Sequence, residues 1–88
     1  MLHLLAKMHG AHFSDIEKSL KAVFLEHAAE GIFLEHLWKN RENEDEVLFL
    51  FRTMNLDRAK KYLNKVNTEA IKKDPAVALP EFTFLEGN

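Results

Sequence analysis

The chain has 88 residues, no Cys, 47% hydrophobic residues and a formal net charge of −2 at neutral pH. Those totals exclude disulfides, thiolate metal sites and thiol catalysis, and they supply no positive field that would recruit nucleic acid or an anionic membrane. A domain this short buries only about 60–65% of the surface its unfolded form exposes, so stability calls for a partner subunit or a His/carboxylate metal site.

Leu2 to His9 alternates, with Leu2, Leu4, Ala6 and Met8 on one side and His3, Leu5, Lys7 and His9 on the other, the period of a strand. The same opening stretch is too short in its apolar part, and too interrupted by His and Lys, for a signal peptide. No apolar run approaches the ~20 residues of a membrane span, and the expected location is cytoplasmic. Gly10 closes the strand. Ser14 with Glu17 reads as a capping box, and Ile16, Leu20, Val23, Phe24 and Ala28 form the apolar stripe of one helix that Gly31 stops. Ile32 to Lys39 and Glu46 to Thr53 read as a hairpin with the polar tip NRENED. Asn55 is suited to cap a second helix with the stripe Leu56, Ala59, Leu63, Val66, Ala70 and Ile71. Pro75 and Pro80 end it, and EFTFLE forms a last strand. The order is β-α-β-β-α-β over a single domain, residues 1–88. This is an α+β, ferredoxin-like arrangement with a four-stranded antiparallel sheet and two helices on one face.

Both helices cover one side of the sheet, which leaves the other side to be explained. An even hairpin loop sets Trp38 opposite Val47, His36 opposite Phe49 and Leu34 opposite Phe51, and opposed residues share a face. An odd loop or a bulge exchanges these partnerships, because a slip of one residue flips every side chain. With the even loop, Leu2, Leu4, Ala6, Met8, Phe33, Leu37, Leu48 and Leu50 lie under the helices, with Glu35 and Arg52 at that layer's margin. The uncovered face then mixes His3, Lys7, His36 and Trp38 with Leu5, Leu34, Phe49 and Phe51. It is too apolar for water, and a second copy of the chain, its sheet packed about 10 Å away, would cover it.

The strand LHLLAKMHG, the helix ending at Gly31, the hairpin GIFLEHLWKNRENEDEVLFLF and the helix opening MNLDRAKKYL together resemble the dimeric α/β-barrel superfamily. Within it, the likeness is to the antibiotic-biosynthesis-monooxygenase-like group. The resemblance covers nearly the whole chain and lies in pattern and element length. It implies a homodimer whose sheets face each other, with a small cavity per subunit between sheet and helices or sheet and sheet. In some members such a cavity serves to oxidise quinol-like or polycyclic aromatic substrates without metal or flavin, and related ones degrade haem. Phe51 and Thr53 stand where that group commonly has an acidic residue and a Trp, and Tyr62 and Leu63 stand where a His is common. The resemblance therefore implies the fold and leaves activity open.

His36 and Trp38 are the first candidates for a pocket, Trp38 as a flat apolar wall with one N–H donor and His36 as a proton carrier. The plain alternative is packing at a dimer interface, where Trp is enriched. His3 is a second acid/base candidate, Trp38 and Phe51 would position a ring, Phe49 is a further ligand-binding candidate, and Lys7 could bind an anion or extend its ammonium to the barrel mouth. His3, His9 and His12, or His27 and His36, lack a metal-site spacing, so no metal and no cofactor are assigned. The charged tip protects an edge, and the basic second helix balances it. The leading expectation is a homodimeric small-molecule-binding protein, with a cofactor-independent oxygenase-like reaction on an aromatic or polycyclic substrate as its enzymatic form. The alternative is a non-catalytic assembly or regulatory module with a solid-packed barrel. RNA recognition shares the element order, but EVLFLFRT has no Gly and LHLLAKMH no aromatic beyond His.

Overall fold

The computed structural model describes residues 2–87. β1 (Leu2–His9) is followed by α1 (Phe13–Ala22), α2 (Phe24–Ala29), β2 (Ile32–Lys39), β3 (Glu46–Thr53), α3 (Leu56–Lys73) and β4 (Glu81–Glu86). The four strands form one antiparallel sheet in the order β2-β3-β1-β4, and the fold is ferredoxin-like. Among the described residues, no helix is long and apolar enough to cross a membrane.

Turn chemistry fixes the element ends. Gly10 and Gly31 have φ of +70° and +71°, the left-handed region that glycine enters without a steric penalty. Gly31 also accepts the Met54 N–H at 3.0 Å, which joins the start of β2 to the end of β3. Asn55 caps α3 by accepting the Arg58 N–H at 3.1 Å. Thr53, buried beside it, donates to the Asn55 carbonyl and accepts its N–H, each at 3.3 Å. Arg58 then ties α3 to the end of α2, donating to Glu30 at 3.0 Å and to the Ala29 carbonyl at 2.9 Å.

The first helical stretch differs from the single capped helix its stripe suggests. It begins at Phe13 with His12 at the N-cap position, no side chain closes a capping box, and the helix breaks at Val23. The break leaves Phe24 50% exposed and Leu25 81% exposed, so Phe24 is not part of the buried stripe.

The hairpin register differs as well. Asn40 pairs with Glu46, its N–H donating to the Glu46 carbonyl at 2.9 Å and its side chain to the Glu46 carboxylate at 3.1 Å. The tip between them is therefore odd, and Trp38 sits opposite Leu48, not Val47. A bulge between Leu34 and His36 then restores the expected partners, with Leu34 opposite Phe51. A strand that places both Leu34 and Leu37 inward needs one extra residue between them, and Glu35 is that residue.

The covered face consequently holds Leu4, Ala6, Ile32, Val47, Phe49 and Phe51, all buried, with Leu34 and Leu37 packed against them. Ala59 and Leu63 of α3 close over this layer. Ala6 lies opposite Phe49 and Leu4 opposite Phe51, so small and large side chains alternate across the strands. Phe49, Phe51 and Leu34 are thus beneath the helices. Phe33, Glu35, Leu48 and Leu50 take the uncovered face in their stead, beside His3, Leu5, Lys7, His36 and Trp38.

Candidate functional site

The helices do not close completely over this layer. A cavity of about 410 Å³ lies between the sheet and the helices, within the range of small-molecule pockets. Phe49, Phe51 and Phe82 form its sheet wall, Leu20 and Val23 contribute from the α1 side, Leu63, Val66 and Ala70 from α3, and Val77 to Pro80 from the segment before β4. The Pro-bounded connection thus becomes a wall of the cavity.

Polar groups are few and grouped. His27, set inward from α2, meets the Phe51 ring edge-on at 5.4 Å and the Tyr62 ring edge-on at 5.5 Å. Burial lowers the His27 pKa below the ordinary imidazole value of 6.5, against an opposing pull from Glu26, so the ring is held toward its neutral form. The Tyr62 hydroxyl donates to Glu26 at 2.9 Å, bridging α3 and α2. Burial first, then that hydrogen bond and the charges of Glu26, Glu30 and Glu69, push the Tyr62 pKa well above its usual value, so the phenol keeps its proton. Together these residues set a neutral imidazole beside a protonated phenol that is bonded to Glu26, on one wall of an aromatic cavity.

The residues singled out in the sequence divide between the two faces. Phe49 and Phe51 line the cavity. His36 and Trp38 stack on the uncovered face, ring centroids 5.0 Å apart and planes 14° from parallel, with Trp38 45% exposed. His3 donates through Nε2 to Glu35 at 2.8 Å, and Arg52 approaches the other Glu35 oxygen at 3.8 Å while its guanidinium lies 4.9 Å from the Phe33 ring centroid. Lys7, opposite Leu48, shares this face. Glu35 and Arg52 do reach each other, but on the uncovered side of the sheet and not the helix side. His9 lies 3.5 Å from Glu46 at the strand ends. Among the described residues, no three His, Asp or Glu side chains converge as a metal-binding group.

Sequence reasoning passed over His27 and Tyr62 as a pair. The available signal was position: His27 continues the inward spacing of Leu20 and Val23, and Tyr62 precedes Leu63 on the inner side of α3.

No family model and no curated protein matches the chain. Its fold matches a solved structure from Deinococcus radiodurans, whose protein is named a putative antibiotic biosynthesis monooxygenase. The TM-score is 0.65 at 16% sequence identity, over 100% of this chain and 93% of that one. The likeness shows the ferredoxin-like fold, and the name of the neighbouring protein is that of the group which the strand and helix pattern resembles.

Proposed function

We propose that this chain is a homodimeric small-molecule-binding protein that holds a flat, largely apolar aromatic compound beneath its helices. The activity that fits such a site is a cofactor-independent, oxygenase-like reaction. The observation that carries this reading is the 410 Å³ cavity walled by Phe49, Phe51 and Phe82, with a neutral imidazole and a protonated phenol on one side. The neighbour's name and the resemblance read in the sequence favour oxidation over other chemistry.

In this reading the ring lies against the phenylalanine wall. Neutral His27 accepts a proton from the substrate, a step worth about 10²–10⁴-fold in rate when well positioned. The Tyr62 hydroxyl, its proton held by Glu26, presents an oxygen that accepts a hydrogen bond from a polar hydrogen of the ligand. For a methylene carbon flanked by aromatic rings the balance closes without an outside reductant. One O₂ is consumed, the two C–H bonds become one carbonyl, and the second oxygen atom leaves as water with the two hydrogens. The substrate supplies all four electrons.

The uncovered face supports the homodimer. Leu5, Phe33, Trp38, Leu48, Leu50 and Leu85 lie there with the His36–Trp38 stack, and Trp38 and Leu85 are 45% and 42% exposed. His3, Lys7, His36 and Trp38 then act where two sheets meet, as interface groups and as the wall of any space left between the sheets. A packed-solid assembly module differs in having no ligand in either place.

Crystals soaked with a panel of anthrones, flavonoids and haem test the reading. The expected result is density beside Phe51 and His27, with oxygen uptake that a His27→Phe variant loses while still binding the ring. An empty cavity with every compound, and no saturable binding in solution, overturns it.

A further inference from the structure

The helix-side cavity has a charge as well as a shape. Of the described side chains that line it, only Glu26 and Glu69 are acidic, and no Lys or Arg lines it. Burial holds His27 toward neutrality, so the imidazole adds no compensating cation. The hydrogen bond from Tyr62, 2.9 Å long, fixes the Glu26 carboxylate at the wall. None of the described basic side chains of α3 lines it. Arg58 pairs with Glu30 at 3.0 Å, Lys60 lies 4.7 Å from the Phe84 ring centroid, and Lys61 and Lys65 line a smaller groove that shares only Glu26 and Tyr62 with the cavity. Aromatic faces such as those of Phe49 and Phe51 also attract cations and not anions.

We propose that the cavity selects a planar aromatic ligand bearing a protonated basic nitrogen, its ring against Phe49 and Phe51 and its cation taken by the carboxylates of Glu26 and Glu69. This rests on the helix-side cavity being the ligand site. An acidic wall on an aromatic pocket stabilises such a ligand through charge and ring contact together, and it repels a carboxylate of the same size. Burial first, and then the hydrogen bond to Glu26 and the charges of Glu26, Glu30 and Glu69, keep the Tyr62 phenol protonated, so the acidic groups stand close to this wall.

Three acridines of one ring size test it by fluorescence titration of the whole chain: 9-aminoacridine as cation, acridine as neutral ring and acridine-9-carboxylate as anion. The cation is expected to bind about ten-fold more tightly than the anion at low ionic strength, with the neutral ring between and the spread narrowing as salt is added. Glu26→Gln, which leaves Tyr62 an acceptor, and Glu69→Gln are each expected to weaken 9-aminoacridine binding about three-fold and to leave acridine unchanged. Glu35→Gln, on the uncovered face, is the control and should change neither. Equal affinities for all three dyes, tighter binding of the anion, or an unchanged 9-aminoacridine affinity in both cavity variants overturns the charge assignment while the cavity remains a ligand site. Failure of all three dyes to bind overturns the cavity reading itself, and this inference with it.

Discussion

The two sides of the sheet are built from the same strands and end in opposite conditions. Along β3, Val47, Phe49, Phe51 and Thr53 are buried, while Leu48, Leu50 and Arg52 between them are only half-buried. Leucine is no less apolar than valine, so the difference lies in what covers each side. The inner side is closed by α1, α2 and α3, which leave a cavity where His27 is held toward its neutral form and Tyr62 is hydrogen-bonded to Glu26. The outer side is closed by nothing among the described residues, and it mixes leucines and aromatics with the ionic set His3, Glu35 and Arg52. The contrast teaches that burial alone does not mark a function. One side is finished by its own chain and keeps a space, and the other is suited to a second copy.

Breaking the inner side should cost the most. Phe51→Ala removes a ring that is 1% exposed and is expected to lower unfolding stability by about 3–5 kcal/mol in urea titrations. Leu50→Ala, on the opposite side of the same strand, should cost well under half as much in a dissociated subunit; equal losses would erase the distinction between the sides. Next in size is a change aimed at the outer side alone. Leu50→Lys sets a charge between Leu5 and His36 and is expected to weaken self-association by about 2–3 kcal/mol, read as a shift from dimer to folded monomer by sedimentation. A variant that still sediments as a dimer would place the interface elsewhere.

Smaller effects sharpen the inner side. Tyr62→Phe removes the hydrogen bond to Glu26 and should cost about 0.5–1.5 kcal/mol of stability, with no change in association. The last effect is in pH dependence. Because the folded His27 pKa lies below 6.5, the unfolded chain binds more protons between the folded value and 6.5. The His27 contribution should therefore be level above that window, fall as pH drops through it, and level off again below. His27→Gln should flatten that part of the profile, and an unchanged slope would show that the imidazole is not shielded from water.

Much of the fold was legible because period and turn chemistry are local. The alternation in Leu2–His9 placed Leu4 and Ala6 inward, Gly10 and Gly31 marked chain reversals, and Asn55 marked a helix start. The register of β2 was not, because two compensating departures share one strand. Asn40 reaches across to Glu46 and makes the tip odd, and Glu35 bulges to bring Ile32 and Leu34 back inward. A trace of this was present in LEHL, where two leucines three apart cannot share one side of a regular strand. The break at Val23 left no comparable mark, and no physical account of it follows from the residues there. As for the site, Phe49 and Phe51 were singled out as ligand-binding residues but set on the wrong side of the sheet. The partnership of His27, Tyr62 and Glu26 joins α2 to α3 across 36 positions of chain, a distance that no local pattern encodes.

A ligand is expected to go beneath the helices and not onto the uncovered face. The two places have distinct reporters in a nitrogen-15 NMR titration with 9-aminoacridine. The predicted result is saturable shifts of the His27, Phe51 and Tyr62 backbone amides, with the Trp38 indole N–H unmoved. Shifts confined to the Trp38 indole and the His36 amide, with the cavity residues silent, would contradict it.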